Sequence, residues 1–276
     1  MNAKQKFILT AALTAVLLVI FLVLLFSGYG RSAPREAEVP QAAVPVAAKR
    51  EPVPEEVQAG IAWLQWLEAQ SPADVEATLK EQRRQERMAR MESGELDVWD
   101  QLEDAVIMGD SRAVGFWYYD HIPEERVLGD AGHRIDLVPD YYDTLQALNP
   151  AQVFFCYGVN DVGIGYWETP EEYAAAMDET VRGVLEILPD TVVYVCSIPE
   201  VKDPAFDLNS VWRRIPEYND AVAAMCAEKG YPYVDCDGLI AEYGHLWDSD
   251  GIHFQREVYP AWGQYLAMAL YDYENG

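Results

Sequence analysis

Several short stretches of this chain are apolar along their whole length, not at every second residue. AVIM (105–108), AQVFFCY (151–157), TVVYVCSI (191–198) and YPYVDC (231–236) are the clearest, and RVLG (126–129) is a weaker fifth. A strand with one face in water alternates, so a strand without alternation is buried on both faces. Between these runs lie segments of helical character. They cover residues 140–148, a stretch opened by Thr169-Pro170-Glu171-Glu172 and reaching Leu188, residues 210–229 stopped by Gly230, and residues 255–273. Thr169 is a good N-cap and Gly230 a good C-terminal stop. Repeated strand–helix units require a parallel sheet with right-handed crossovers. The expected fold class is α/β: a three-layer α/β/α sandwich with a parallel, flavodoxin-like five-stranded sheet, preceded by a transmembrane helix and a helical stalk.

Upstream, Phe7–Phe26 is a run of twenty uncharged, almost wholly apolar residues. As a helix it would span about 30 Å, the hydrocarbon thickness of a bilayer. Lys4 and Lys6 precede it, which keeps the N-terminus in the cytoplasm and puts the rest outside. The competing reading is a cleaved signal peptide. Its apolar region would run about 7–15 residues, and the following SGYGRSAPREA has no clear A-x-A site, so an uncleaved signal anchor is favoured. The domain reading is then 1–30 cytoplasmic stub and signal anchor, 31–54 Pro/Ala-rich linker, 55–95 helical stalk region, and 96–276 catalytic domain. In the stalk region Val57, Ile61, Leu64 and Leu67 recur at helical spacing, and Ser71-Pro72 opens a charged helix running from Ala73 to about Met91. That helix reads as a mostly solvated one lying on the domain. A stalk, a dimerising helix or a cover over the site are its functional alternatives.

The formal charge of −26, with 46 acidic residues against 20 basic, argues against nucleic acid and against anionic lipid headgroups as partners. Cys156, Cys196, Cys226 and Cys236 form no C-x-x-C pair. They read as buried small hydrophobes, with one bridge left open in an oxidising compartment. There is no phosphate-binding glycine loop, no dinucleotide fingerprint and no H-E-x-x-H, and the DCDG and DSDG stretches lack the glutamate of a calcium loop. No cofactor and no metal is expected.

In an open parallel sheet the functional groups gather at the carboxyl ends of the strands. The first strand runs into Gly109-Asp110-Ser111-Arg112, the second into Gly129-Asp130-Ala131-Gly132, and the third into Gly158-Val159-Asn160-Asp161. Asp250-Gly251-Ile252-His253 lies between the last strand and the last helix. Singly, each residue has an ordinary reading: Ser111 as a helix cap, Asn160 as a turn residue, His253 as a surface histidine. Their coincidence at separate strand ends is what points to a site.

These blocks, G-D-S-x, a glycine, G-x-N-D and D-x-x-H, resemble those of the SGNH/GDSL hydrolases, over roughly residues 103–273. The resemblance implies a serine esterase with Ser111 as nucleophile, His253 as base and Asp250 orienting it. It also implies an oxyanion hole made by the backbone N–H groups of Ser111 and Gly132 and the side-chain amide of Asn160, with Gly129 as the alternative glycine. The chemistry agrees, because a serine hydroxyl needs an adjacent base, imidazole titrates near neutrality, and a carboxylate on its other nitrogen fixes the tautomer. Arg112 stands where the family carries leucine. It and His133 are the candidate substrate contacts, Arg112 because its fork donates to anionic or hydroxyl-rich groups. The alternative for Arg112 is a pairing with a nearby carboxylate. Asp110 and Asp161 read as turn-supporting residues.

The leading expectation is an extracytoplasmic esterase that removes short acyl groups, acetyl above all, from a cell-envelope carbohydrate. One alternative is an O-acyltransferase working with a multi-span membrane partner. Another is a non-catalytic glycan-binding or scaffold protein.

Overall fold

The computed structural model describes residues 54–69 and 71–275. The expected membrane span at 7–26 and nearly all of the linker lie outside the described residues, among which no helix is long and apolar enough to cross a membrane. The described residues fall into two units, 54–62 and 63–275. Helix α1 (Glu55–Ala69) leaves Val57, Ile61, Trp63, Leu64 and Trp66 exposed.

Helix α2 (Pro72–Glu92) begins as its sequence requires, with Ser71 and Asp74 closing a capping box and proline in the first turn. It lies along the last helix. Met91 is buried, Arg84 pairs with Asp272 at 3.1 Å, and the Arg87 guanidinium sits over the Tyr271 ring.

The sheet has five parallel strands in the order β2-β1-β3-β4-β5: β1 (Ala105–Gly109), β2 (Val127–Gly129), β3 (Gln152–Cys156), β4 (Val192–Cys196) and β5 (Tyr233–Val234). Successive residues point to opposite layers, and both layers are apolar, which is why the strand sequences do not alternate. Ile107, Phe154, Tyr194 and Val234 join one cluster with Phe116 of α3 (Ser111–Tyr118) and with Val258, Trp262 and Leu266 of the last helix (Val258–Glu274). Val106, Met108, Phe155 and Val195 join the other, under Leu145 of α4 (Tyr142–Leu148), Met177 and Val181 of α6 (Pro170–Ile187) and Val222 of α7 (Ile215–Lys229).

Three elements depart from the sequence reading. Strand β5 is two residues long, not six, because the Cys236 amide is taken by Ser197 Oγ at 2.8 Å and Asp235 caps the Asp237 amide, turning the chain away from the sheet. The helix expected from Ser210 starts at Ile215, since Pro216 belongs in a first turn; residues Ser210–Arg214 form a 3-10 turn. G-x-N-D, read as a turn, is the start of a short helix, α5 (Val159–Ile164).

Candidate active site

Register brings the loops together. Gly109 of β1 stands level with Gly129 of β2 on one side and Cys156 of β3 on the other. Ser111 lies two residues past Gly109, Gly132 three past Gly129, and Asn160 four past Cys156, so all three emerge at the same sheet edge.

Ser111 is the first residue of α3, capped by Asp110, whose Oδ1 accepts the Arg112 N–H at 3.0 Å. First-turn N–H groups have no partner within their helix, so the Ser111 amide is available to a ligand. Ser111 Oγ lies 2.9 Å from Nε2 of His253. His253 Nδ1 lies 2.6 Å from Oδ2 of Asp250. The other Asp250 oxygen, Oδ1, accepts the backbone N–H groups of Ile252 at 2.8 Å and His253 at 3.0 Å. Partial burial raises the Asp250 carboxyl, but these three hydrogen bonds outweigh it and leave it below the usual aspartate value. The loop carrying both residues is closed by a bridge between Trp247 and Phe254 and tied to the segment after β4 by Lys202 N–H donating to Gly251 O at 2.8 Å.

Asn160 is half-buried in the first turn of α5, and its Nδ2 donates to the carbonyl of His133 at 3.1 Å. One amide hydrogen is therefore committed and the other remains. Gly132 is exposed at φ +80, with nothing described within 4 Å of where a Cβ would stand. Gly158, with φ +129 and Ile198 packed where a Cβ would stand, sets the sharp entry into α5.

Arg112 does not stand where the sequence reading put it. It is 1% exposed, its Nη1 donates to Pro199 O at 2.7 Å, its Nε lies 3.8 Å from Asp110 Oδ1, and its guanidinium stacks 5.3 Å over the Phe254 ring. An N-terminal helix residue next to the nucleophile can turn inward when a buried carboxylate compensates it, and Asp110 does so. The candidate substrate contact is thus a core ion pair, and the carboxylate alternative describes it. Burial raises Asp110 and Arg112 partly offsets it; burial also lowers Arg112. His133 is half-buried, with Nδ1 3.4 Å from the Tyr141 hydroxyl.

Residues the sequence did not single out support the site. Tyr259 OH donates to Arg112 O at 2.9 Å, Trp212 Nε1 to Val159 O at 2.8 Å, and Asn209 Nδ2 to Gly163 O at 2.5 Å. Each acts across more than forty residues of sequence, so no local pattern announces it. Cys156, Cys196, Cys226 and Cys236 are all free and buried. Among the described residues no cluster of His, Cys, Asp or Glu is arranged to hold a metal.

No protein of curated function matches this sequence. A solved GDSL-like lipase of Bacteroides thetaiotaomicron is similar over 61% of this chain and 87% of its own, at 15% identity and a TM-score of 0.51. A lipase/acylhydrolase of Enterococcus faecalis is similar over 59% of this chain and 93% of its own, at 15% identity and a TM-score of 0.48. At 15% identity the likeness to the Bacteroides protein speaks for the fold alone. The family is fixed by the sequence model for the GDSL-like lipase/acylhydrolase family, which matches residues 107–261, more than half of the chain and all the site blocks. The chain belongs to that family, and is an esterase-type hydrolase.

Proposed function

We propose that the protein is an extracytoplasmic serine esterase that removes short acyl groups, acetyl foremost, from a cell-envelope carbohydrate. The observation that carries the mechanism is the unbroken relay from Ser111 Oγ through the His253 ring to Asp250. His253 Nε2 takes the hydroxyl proton as Ser111 Oγ attacks the ester carbonyl. Asp250 holds the ring in the tautomer that presents Nε2 as acceptor and stabilises the imidazolium. The Ser111 and Gly132 amides and Asn160 Nδ2 receive the oxyanion. His253 returns the proton to the departing alkoxide, which leaves as the sugar hydroxyl. Water, deprotonated by the same nitrogen, then cleaves the acyl-serine and releases the acid.

Three features support the substrate. The loops Gly109–Arg112 and Gly158–Asp161 are short and polar, and the sequence has no long apolar insertion to cover a fatty-acid groove. The charge of −26 disfavours approach to an anionic lipid surface. The apolar run at 7–26 would tether the domain near the membrane, within reach of envelope polymers, and His133 beside Gly132 is a polar contact for such a carrier.

The test compares acetyl and long-chain aryl esters under identical conditions, with acetate release from acetylated glycans measured in parallel. The expected result is a preference for acetyl and release from the glycan. A strong preference for long chains or phospholipids overturns the substrate. Protease added outside intact cells is expected to free an active domain; a domain cut only after lysis overturns the location.

A further inference from the structure

We propose that Asp161 is a positioning residue for the oxyanion hole: it fixes the backbone segment that carries Gly132 against the helix that carries Asn160. This rests on the esterase reading above and adds a residue to it.

Two successive side chains of α5 grip one segment. Asn160 Nδ2 donates to the carbonyl of His133, and Asp161 Oδ1 accepts the N–H of Ile135, each at 3.1 Å. A single hydrogen bond would leave the segment free to rotate about it. Two bonds, placed on either side of Arg134, remove that freedom. Gly132 needs such an anchor. It lies one residue before the first grip, at φ +80, and nothing lies within 4 Å of where a Cβ would stand, so packing does not hold it. Upstream its restraints are confined to its own turn, with Asp130 accepting the amides of Ala131 and His133.

Asp161 is an expensive residue for a passive place in the core. It is 0% exposed, and burial lifts its carboxyl to about 7. An aliphatic side chain of the same shape would carry no such penalty. What the aliphatic side chain lacks is the acceptor for Ile135. The groups around Asp161 do not replace it. Asp110 at the end of β1 is another buried carboxyl, Tyr157 after β3 and Tyr173 of α6 are phenols held neutral by burial, and Arg134 is already bound to Asp136. Oδ1 is used; Oδ2 has no hydrogen-bond partner among the described residues.

Catalysis is sensitive to this anchor because an oxyanion donor works only at about 2.7–3.1 Å from where the charge develops. A segment free to drift weakens the transition state and leaves substrate binding almost untouched, so the loss falls on kcat.

The experiment compares Asp161→Asn with Asp161→Leu in the full chain, on an aryl acetate. Both variants match the carboxyl in shape; asparagine keeps an acceptor and leucine does not. The expected result is kcat lowered about 10²–10³-fold in Asp161→Leu with KM within twofold, and kcat within a few-fold of the parent in Asp161→Asn. Rates are normalised to folded protein, and if leucine does not fold, Asp161→Ala takes its place. The proposal is overturned if asparagine fails as badly as leucine, if leucine keeps the parent kcat, or if the loss falls on KM. Ser111→Ala is run beside them. Activity in that variant sinks the esterase reading itself, whereas a dead Ser111→Ala with a fully active Asp161→Leu sinks only the role of Asp161.

Discussion

Ser111 sits on a turn whose neighbours Asp110 and Arg112 are fully buried, whereas His253 and Asp250 leave 42% and 39% of their side chains open to water. The nucleophile turn is held from inside the domain, by an ion pair, a carbonyl from the segment after β4 and the Tyr259 hydroxyl. The His253 ring is held chiefly from within its own loop, by a carboxylate three residues away that also binds two of the loop's amides, with one backbone tie from Lys202 to Gly251. A long-range scaffold couples stability to the site. A local one leaves the site chemistry separable from the fold. Substitutions on the two sides should therefore fail in different ways.

The largest effect belongs to the atom common to both sides. Ser111→Ala should lose on the order of 10⁶ in turnover and all labelling by a fluorophosphonate, with an unchanged unfolding curve, because among the described residues its hydroxyl is hydrogen-bonded to His253 alone. Turnover near the parent value would end the assignment. Asp250→Asn should follow, with kcat down about 10⁴ because the ring loses its tautomer control. Its stability should change little, as the asparagine oxygen can still accept the loop amides. A large fall in melting temperature there would show that the loop is not locally held.

Arg112→Ala should behave in the opposite sense. Removing one partner of a buried pair strands Asp110, at a cost of about 3–5 kcal/mol in denaturant unfolding. Parent stability with a raised KM would instead put Arg112 back on the substrate side.

The smallest effect sets two carboxylates against each other by pH. Asp161 is raised, to about 7, so the folded state favours its proton. Its stabilising contribution is complete below the ordinary value near 3.8 and is lost as pH rises through about 7. Asp250 is lowered, so its contribution is present above the ordinary value and is lost only as pH falls below it. Between pH 8 and 5 the protein should gain stability, by a few kcal/mol at most from Asp161, and Asp161→Asn should flatten that rise. An identical pH dependence in parent and variant would contradict the raised carboxyl.

The sequence made the same two regions unequally readable. Asp250 and His253 are three residues apart, and their relation is visible in the chain itself. Strands β1, β3 and β4 were legible because burial on both faces makes them apolar along their length, save Gln152 at the start of β3. The blocks past β1, β2 and β3 named Ser111, Gly132 and Asn160 through the family resemblance. Arg112 was misread because a charged residue beside a nucleophile looks solvent-facing, while its partners Pro199 and Phe254 lie far along the chain. Asp161 was read as a turn residue because its partner Ile135 belongs to a different strand's loop, 26 residues away. Strand β5 was overlong because its apolar pattern continues past the point where side chains take over the backbone hydrogen bonds.

On the proposed reaction, the exposure of the His253 ring decides what becomes of the acyl group. The second nucleophile must approach from the side on which His253 stands, since that ring takes its proton. That side is open to the surrounding liquid. An alcohol or a sugar hydroxyl added in excess will then compete with water for acyl-Ser111 in proportion to its concentration. Partitioning between acid and new ester, more than the rate at which the first ester disappears, will register the composition of the medium in which the protein works.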